Sequence, residues 1–407
     1  MERFYNLPEK IIFCKKCVLS NQRPSSYPEF QHKKERKGAN YLNIDAKTGV
    51  CDACKVSEHK ENNIDWESRE LELKKLCEKF RSKNNDYDCI VPGSGGKDSV
   101  FASHILKYKY GMNPLTITWP PILYTDYGHK NFRNWIEVGG FDNLTLKPNG
   151  QVMKILTKLS IENLLHPFQT FILGQKNLAP KIAKKFNIPL IFYGEAESEY
   201  GNPIEEYYNS LQNNKYYSIK NKNEIILAGC SLKHLEEKYK LNYKDLSIFL
   251  PIEQNELKDT NIQIHYLGYY KKWVPQEAYY YAVENANFSA RPFRTQGTYS
   301  KYSGIDDKID DLHFYTSFIK FGLGRASYDA AQEIRNKHIT LEEGKLLVKK
   351  FDGEFPDRYF SEVMNYIGME EEKFHEICDN SRSPHLWIKT NNGWKLRHNV
   401  NKDGYDD

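Results

Sequence analysis

The sequence lacks a hydrophobic run long enough to cross a membrane. Across its 407 residues, no apolar stretch approaches the ~20 residues that a transmembrane helix needs. The opening residues, Met1-Glu2-Arg3-Phe4-Tyr5, also lack the basic and then apolar pattern of a secretory signal peptide. We therefore expect a cytoplasmic protein with no membrane partner.

The sequence also lacks a strong excess of charge of one sign. It holds 58 Lys and Arg against 54 Asp and Glu, a formal net charge of +4, and so small a charge does not indicate a nucleic-acid partner. Internal repeats and low-complexity segments are absent as well. A chain of this length can form two or three domains with a sizeable core, so the composition predicts a soluble globular protein.

Two familiar phosphate-binding motifs are missing from the glycine-rich segment at 92–99. A Walker loop has glycine five positions before its Gly-Lys pair and Ser or Thr after the lysine, whereas this chain has Val91 and Asp98 there. The dinucleotide fingerprint needs a third glycine at the position of Asp98. Neither motif describes this segment.

What the segment does contain is Pro92-Gly93-Ser94-Gly95-Gly96-Lys97-Asp98-Ser99. Residues 87–91 have the pattern of a short buried strand and residues 100–106 the apolar spacing of a helix, so the glycines lie at a strand-to-helix turn. Glycines there let several backbone N–H groups converge on an anion, and the helix N-terminus adds partial positive charge. Lys97 can neutralise charge, and Asp98 can hold Mg²⁺.

The pattern Ser-Gly-Gly-x-Asp-Ser at 94–99 resembles the PP-loop of the ATP pyrophosphatases, which split ATP to AMP and pyrophosphate while they adenylate an oxygen of the substrate. The alternative is an ordinary glycine turn that enters a helix. We predict an ATP site with Mg²⁺ on Asp98, in which Lys97 and Asp98 are catalytic. The predicted ATP-binding residues of this loop are Gly93, Ser94, Gly95, Gly96, Lys97, Asp98 and Ser99.

Two further predicted strands place polar segments near the loop. Residues 114–119 form the second strand of a predicted right-handed parallel unit, so we expect a ligand at the carboxyl edge of the sheet. Residues 189–193 predict another strand, and Glu195, Glu197 and Glu199 follow it directly. These carboxylates can bind Mg²⁺, orient a cationic nucleophile or contact sugar hydroxyls, or they can cap a helix and face water.

Four of the eight cysteines form two Cys-x-x-Cys pairs, Cys14 with Cys17 and Cys51 with Cys54. A two-residue spacer lets both thiolates face one tetrahedral metal, and two such pairs complete a structural zinc site with no open position. A redox dithiol, a pair of disulfides and an iron–sulfur cluster are the alternatives. The other cysteines are scattered, and we expect them to be buried as small apolar residues; they are Cys77, Cys89, Cys230 and Cys378.

Cationic residues near glycine mark the C-terminal part of the chain. Arg294 lies three residues before Gly297, and Lys320 and Arg325 flank a segment with two glycines. Glycine lets a cation approach a bound anion closely, as a nucleotide phosphate or a sugar carboxylate requires. The alternative is a helical surface laced with salt bridges.

These elements predict an α/β fold with a parallel sheet at its core. The resemblance of the loop implies that this core is of the PP-loop ATP pyrophosphatase type, which is HUP-like (adenine nucleotide alpha hydrolase-like). We predict a four-cysteine zinc-ribbon-like module at 1–62 and a connecting helix at 63–85. The ATP-binding α/β domain follows at 86–285, and a mainly helical substrate or partner region occupies 286–407. Within the α/β domain we expect residues 202–260 to be mostly helical.

Taken together, several blocks of the sequence resemble the N-acetyl sugar amidotransferases of bacterial surface-glycan biosynthesis. Besides the cysteine pairs and the loop, the blocks are residues 125–131, 139–142, 194–195, 199–201, 305–308 and 320–325. The resemblance implies an ATP-dependent enzyme that converts the acetamido group of a sugar to acetamidino and releases AMP and pyrophosphate. The sugars it implies are pseudaminic, legionaminic or diacetamido-uronic derivatives, free or nucleotide-activated, for lipopolysaccharide biosynthesis or flagellin glycosylation.

Within and beside these blocks we predict roles for individual residues. Glu195 is nearest to the strand end and joins Lys97 and Asp98 as catalytic, and Thr125 joins the ATP-binding set. The predicted substrate-binding residues are Asn131, Glu199, Arg294, Lys320 and Arg325.

An amidotransferase needs a source of ammonia, and glutaminases use an activated cysteine nucleophile. Residue 2 is Glu rather than cysteine, and Gly229-Cys230-Ser231 lacks the Gly-x-Cys-x-Gly elbow of the other glutaminase type. We therefore expect a separate glutaminase partner, which delivers ammonia through a complex with this chain.

The competing hypothesis is a tRNA-thiolating enzyme, because such proteins also combine a PP-loop with zinc-binding cysteines. Many of them need a further cysteine pair after the loop, where this chain offers only the isolated Cys230 and Cys378. A non-catalytic scaffold that binds zinc and nucleotide is a third hypothesis, and it predicts no ATP turnover.

Overall fold

The computed structural model describes residues 1–33, 41–84, 86–195, 204–258 and 260–401. The strands are β1 (Cys89–Pro92), β2 (Pro114–Thr118), β3 (Asn143–Thr145), β4 (Leu190–Tyr193), β5 (Ser218–Ile219), β6 (Ile226–Leu227), β7 (Cys230–Ser231), β8 (Ile252–Glu253), β9 (Gln263–Tyr266), β10 (Trp387–Thr390) and β11 (Gly393–Leu396).

The helices of the N-terminal and central parts are α1 (Asp52–Asn62), α2 (Trp66–Phe80), α3 (Lys97–His104), α4 (Asp126–Glu137), α5 (Gly150–Leu164), α6 (Gln169–Phe186), α7 (Ile204–Tyr207), α8 (Leu232–Tyr239), α9 (Tyr243–Leu246), α10 (Gln254–Leu257), α11 (Leu267–Tyr270) and α12 (Pro275–Ala286). The C-terminal helices are α13 (Asp310–Phe321), α14 (Arg325–Arg335), α15 (Leu341–Phe351), α16 (Asp357–Ile367) and α17 (Glu371–Ser381). Short 3-10 turns occupy Glu29–Gln31, Asn214–Tyr216, Lys222–Glu224 and Ser247–Phe249, and α3 continues as a π-helical turn, Ile105–Lys109.

A five-stranded sheet with the order β3-β2-β1-β4-β9 forms the centre of the molecule. All of its strand pairs are parallel, and Ile90 of β1 lies beside Leu115 on one side and Ile191 on the other. The chain moves from β1 outward through β2 and β3 and then returns to the other side of β1 as β4. Such a reversal opens a crevice at the carboxyl ends of the strands. The parallel α/β core predicted from the sequence is confirmed.

Helices cover both faces of the sheet, as a parallel sheet requires. On one face, Ile90 and Ile191 pack with Leu156 of α5 and Leu178 of α6. On the other face, Val91 packs among residues of α2 and α3, and Cys77 and Cys89 lie in that same core. Successive side chains of β1 therefore point alternately into the two cores, so the strand that precedes the glycine loop is packed on both faces. Burial of Cys77, Cys89 and Cys378 confirms the expectation for them, whereas Cys230 is only partly buried.

The N-terminal residues pack against the C-terminal helices. The four paired cysteines share a core with Ala330 and Ala331 of α14. Tyr5 and Leu7 share another core with Phe321 at the end of α13 and with Trp387 of β10. Residues from the two ends of the chain thus pack against each other in two separate cores.

The structure corrects one expectation about secondary structure and adds strands that the sequence did not predict. Residues 204–258 hold only short helices and four two-residue strands, so this part is less helical than expected. β3 was not predicted, because Asn143-Leu144-Thr145 carries a single apolar residue and no strand pattern. The C-terminal region ends in a β10–β11 hairpin, whose turn includes Gly393 at φ +97°. None of the helices in the described ranges is both long and apolar enough to cross a bilayer.

A buried side-chain hydrogen bond joins α3 to α4. The Ser103 hydroxyl accepts the indole N–H of Trp135 at 2.9 Å and donates to the Ser99 carbonyl at 2.7 Å. Ser103→Ala leaves that indole N–H buried without its acceptor, so we expect the free energy of unfolding to fall by about 1–3 kcal/mol in urea titrations.

Ser160→Ala is the matched control for this variant. Ser160 is equally buried, but its hydroxyl only donates to the Leu156 carbonyl within α5. Its loss leaves no donor unsatisfied, and we expect a change below about 1 kcal/mol. Equal losses in the two serine variants would show that the indole N–H is not the source of the effect.

Candidate active site

The loop Gly93–Gly96 joins β1 to α3 at the crevice between β1 and β4. At two of its positions a β-carbon would clash with neighbouring atoms, so only glycine fits there. Gly95 has φ +86°, and a Cβ there would lie 2.6 Å from the backbone of Phe132. A Cβ on Gly93 would lie 2.2 Å from the Ser99 Cβ. Gly96 is the N-cap of α3, so the free N–H groups of the first helical turn lie at the loop. The strand-to-helix turn that the sequence predicts is therefore present, and a helix N-terminus is a favourable environment for an anion.

Lys97 and Asp98 form one polar cluster with a tryptophan from far along the chain. The Lys97 ammonium lies 2.5 Å from Asp98 Oδ2, and Asp98 Oδ1 accepts the indole N–H of Trp273 at 2.9 Å. Trp273 is buried, so it orients the carboxylate rigidly. A carboxylate has about four lone-pair positions, so both oxygens of Asp98 keep capacity for a Mg²⁺ ion.

The C-terminal region is held directly against the loop. Ser94 donates its hydroxyl hydrogen bond to Asp306 Oδ2 at 2.7 Å, and the Thr125 N–H donates to the Asp306 carbonyl at 3.1 Å. The Thr125 hydroxyl donates to Ile305 and accepts from the Gly128 N–H at 3.0 Å. Thr125, a predicted ATP ligand, therefore caps α4 and holds residues 305–306 in place. Ser99, another predicted ligand, donates to the Gly96 carbonyl at 2.9 Å.

The next residue, Asp307, fastens the same segment to the end of β2. Its carboxylate accepts backbone N–H groups of Ile122 at 2.6 Å, Leu123 at 3.3 Å and Ile309 at 3.0 Å. Burial raises the pKa of Asp307 to about 7, and these N–H donors act in the opposite direction. The carboxylate is therefore a structural clamp rather than a group open to a ligand.

Two cavities border the loop, and a third shares Glu195 with both of them. The strand-end cavity, of about 280 Å³, lies at the carboxyl ends of the strands and is lined by residues that include Gly93, Trp119, Gln175, Lys176 and Tyr193. The C-terminal cavity, of about 370 Å³, is lined by the loop together with Asn131, Tyr302, Asp306 and Arg325. The histidine cavity, of about 390 Å³, is lined by residues that include Arg23, Glu29, His32, His166, Lys176 and Lys320.

Glu195 lies where the three cavities meet, since it lines all of them. The preceding residue, Gly194, passes so close to α3 that a Cβ there would lie 2.7 Å from the Asp98 carbonyl oxygen. This close approach of the backbone brings Glu195 next to the loop. The strand-end and C-terminal cavities also share Ser94, Gly96 and Asp98. Glu197 and Glu199 lie outside the described residues.

The predicted substrate-binding residues occupy different places. Arg325 lines the C-terminal cavity beside the loop, and its Nε donates to Asp329 at 2.8 Å. Lys320 lines the histidine cavity and donates to the Leu164 carbonyl at 3.0 Å.

Asn131 and Arg294 are engaged with other protein groups. Asn131 is buried, and its amide group bonds both backbone groups of Ser289, at 3.0 and 2.8 Å. Arg294 pairs with both carboxylate oxygens of Glu354 at 2.6 Å and lines none of the three cavities. Of the four described candidates, Arg325 and Asn131 are thus brought beside the loop.

Sequence reasoning missed three residues of the site. Trp273 lies 175 positions after Asp98, and no local pattern links the two. Asp306 stood in a block of the resemblance without an assigned role, and Lys176 lies on α6 without a motif. For Asp306, the one sequence feature that could have indicated a role is its place beside Asp307 and Lys308 in a short charged segment.

The four paired cysteines form a separate buried cluster. The Sγ atoms of Cys14 and Cys54 are 3.9 Å apart, and those of Cys17 and Cys51 are 3.7 Å apart. Zn–S bonds of about 2.3 Å in a tetrahedron place sulfurs about 3.8 Å apart. The cluster therefore fits a structural zinc ion whose four positions are all filled by thiolates.

Comparison with known proteins gives two findings. Residues 296–401 match the family model described as LPS biosynthesis protein WbpG-like, C-terminal domain. A stretch of 52 residues is 36% identical to an uncharacterized protein of Methanocaldococcus jannaschii, over 13% of this chain and 19% of that relative. The chain thus spans about a fifth of the length of this relative. The first match makes the C-terminal region similar to LPS biosynthesis proteins, which fits a sugar-modifying enzyme.

Alanine substitutions at the two central glycines of the loop, Gly95 and Gly96, test the backbone conformation of the loop. Gly95→Ala forces an L residue into a positive φ against the backbone of Phe132, so we expect the free energy of unfolding to fall by about 1–3 kcal/mol. A Cβ on Gly96 meets no atom closer than the Ser94 hydroxyl at 4.0 Å. Gly96→Ala should therefore lose only the N-cap preference for glycine over alanine, about 1 kcal/mol or less. A loss there as large as that of Gly95→Ala would contradict this loop geometry.

Proposed function

We propose that this protein is an ATP-dependent amidotransferase that converts the acetamido group of a bacterial surface-glycan sugar to acetamidino. AMP and pyrophosphate are the other products, and ammonia is the nitrogen donor. The nucleotide occupies the strand-end cavity, and the acetamido group of the sugar occupies the C-terminal cavity.

The observation that carries this proposal is the composition of the C-terminal cavity. Tyr302, Asp306 and Arg325 belong to the region that resembles LPS biosynthesis proteins, and they line this cavity together with the glycine loop. A sugar held by that region would have its amide beside the loop. The two cavities share Ser94, Gly96, Asp98 and Glu195, so a nucleotide and a sugar in adjacent cavities would meet at these residues.

The proposed chemistry follows from the low reactivity of an amide. An amide carbon is a poor electrophile, and its oxygen is a poor leaving group, so the barrier to direct attack by ammonia is high. The amide oxygen first attacks the α-phosphorus of ATP, and the bond to pyrophosphate breaks. Ammonia then adds to the activated carbon, loses a proton, and the C–O bond breaks to release AMP. No oxidant or reductant is needed, and the amide oxygen leaves in AMP.

The residues of the loop have matching roles in this proposal. The loop N–H groups and Lys97 bind the departing pyrophosphate, where they stabilise the charge that develops as the bond breaks. Lys97 would exchange Asp98 for phosphate oxygens as its partner. Glu195 lies at the junction of the cavities, and in this proposal it accepts the proton of the attacking ammonia. Asp98 would hold Mg²⁺, which supplies additional positive charge to the phosphates.

Lys97→Ala tests the role of the loop. Because the variant removes the side-chain cation from the pyrophosphate site, we expect the rate of pyrophosphate release to fall about 100-fold or more. The assay contains ATP, Mg²⁺, ammonium and a panel of nucleotide-activated diacetamido sugars, and it follows AMP, pyrophosphate and the replacement of oxygen by NH in the sugar mass.

Lys75→Ala is the control, because Lys75 is an exposed lysine on α2. It should release pyrophosphate at the unaltered rate. A Lys97→Ala variant that is as active as this control would remove the assignment of the loop. AMP release that requires tRNA and a sulfur donor in place of a sugar would instead establish the thiolating enzyme.

The source of ammonia is tested with the isolated chain. We propose that a separate glutaminase supplies it, so the purified protein should form product with ammonium and none above background with glutamine. Addition of the glutaminase should then make glutamine a substrate. Equal rates with glutamine and ammonium in the isolated chain would contradict a separate partner.

A further inference from the structure

A second group of potential metal ligands lies in the wall of the histidine cavity. The His32 Nδ1 atom is 2.8 Å and the His166 Nε2 atom 3.2 Å from Glu29 Oε1. One ligand atom from each of these three residues lies within 4.8 Å of the other two, and all three residues are buried. Glu29 and His166 are far apart in the sequence, so only the tertiary fold brings the group together.

The local structure orients each of the three side chains. Glu29 and His32 are three residues apart around a 3-10 turn, which places them on the same side of it. The Glu29 backbone carbonyl accepts the Gln169 side-chain N–H at 2.8 Å. His166 follows the end of α5, and its backbone N–H donates to the Ser160 carbonyl at 3.1 Å. The ligand geometry is therefore set by secondary structure.

Aromatic rings further restrict the two imidazoles. The Tyr27 ring stacks on His32 with centroids 5.6 Å apart, and the His313 ring stacks on His166 at 5.2 Å. Both pairs have an interplanar angle of 19°. Packing of this kind holds the imidazole rings in one orientation before any ligand binds.

We propose that Glu29, His32 and His166 bind a divalent transition metal of the zinc class. Two imidazoles and one carboxylate are a ligand set that such ions take, and three protein ligands leave a further position for an exchangeable group. That position faces the histidine cavity, which these three residues line. The site differs in kind from the cysteine cluster, where four thiolates fill every position.

The surroundings indicate the class of exchangeable ligand. Arg23, Lys176 and Lys320 line the same cavity, and their positive charge favours an anion with oxygen donors, such as a carboxylate. Lys176 and Glu195 also line the strand-end cavity, so a ligand on this metal would lie next to the proposed nucleotide site. Metal binding itself does not depend on the proposed reaction.

Metal content of the purified full-length protein tests the proposal. After incubation with zinc and removal of loose metal, we expect two zinc ions per chain by mass spectrometry, one on the cysteines and one on the new site. His166→Ala should hold one. His234→Ala is the matched control, because His234 is exposed on α8, and it should hold two.

A second variant, Glu29→Gln, separates loss of the metal site from a folding defect that His166→Ala could cause. The amide can still hydrogen-bond to both imidazoles but is a poor metal ligand, so this variant should keep its fold and hold one zinc. Cobalt substitution separates the two sites, since only the cysteine cluster gives thiolate-to-cobalt charge-transfer absorption. The unaltered chain should add weaker bands of a nitrogen and oxygen site, and Glu29→Gln should lose them.

The opposite results would overturn the proposal. If the unaltered chain holds a single zinc ion and its cobalt spectrum is that of thiolate ligands alone, the three residues are only a hydrogen-bonded group. Two zinc ions retained in Glu29→Gln and in a folded His166→Ala would place the second metal elsewhere. Both results are independent of amidotransferase activity.

Discussion

The turn between β1 and α3 can form only where two positions carry no β-carbon. Gly95 adopts a positive φ against the backbone of α4, and Gly93 lies against Ser99 at the start of α3. This close approach brings the N-terminus of α3 to the crevice created by the sheet order. The other elements of the site are placed relative to that helix end, from Gly194 behind it to Trp273 beside Asp98.

The second constraint is the attachment of the C-terminal region to this turn. The Ser94–Asp306 hydrogen bond and the clamp formed by Asp307 hold the segment 305–309 over the exits of β1 and β2. The region similar to LPS biosynthesis proteins thereby becomes one wall of a cavity whose other wall is the loop. The proposed reaction, in which a sugar meets a bound nucleotide, would take place between these two walls.

The two groups of metal ligands have different geometry and therefore different proposed roles. The cysteine cluster is closed, and it packs on α14, so a metal there would stabilise the contact between the two ends of the chain. The Glu29, His32 and His166 group lines a cavity that shares Lys176 and Glu195 with the strand-end cavity. A metal there would have room for an exchangeable ligand, as catalytic and substrate-binding sites require.

The sequence by itself determined those elements and motifs that depend only on residues close together in the chain. Strands β1, β2 and β4, helices α2 and α3, the glycine turn and the cysteine spacing all carry short-range patterns, and each is present in the structure. Patterns of this kind failed where a strand had one apolar residue, as in β3, or where short elements alternate, as in residues 204–258.

Only the tertiary structure decided which distant side chains meet. The Trp273–Asp98 and Ser94–Asp306 hydrogen bonds and the Glu29, His32 and His166 group join residues more than a hundred positions apart. It also decided that Arg294 is engaged with Glu354 away from the three cavities, and that Asn131 lines the C-terminal cavity while it bonds to Ser289. Such contacts depend on sheet order and helix packing, which local periodicity does not encode.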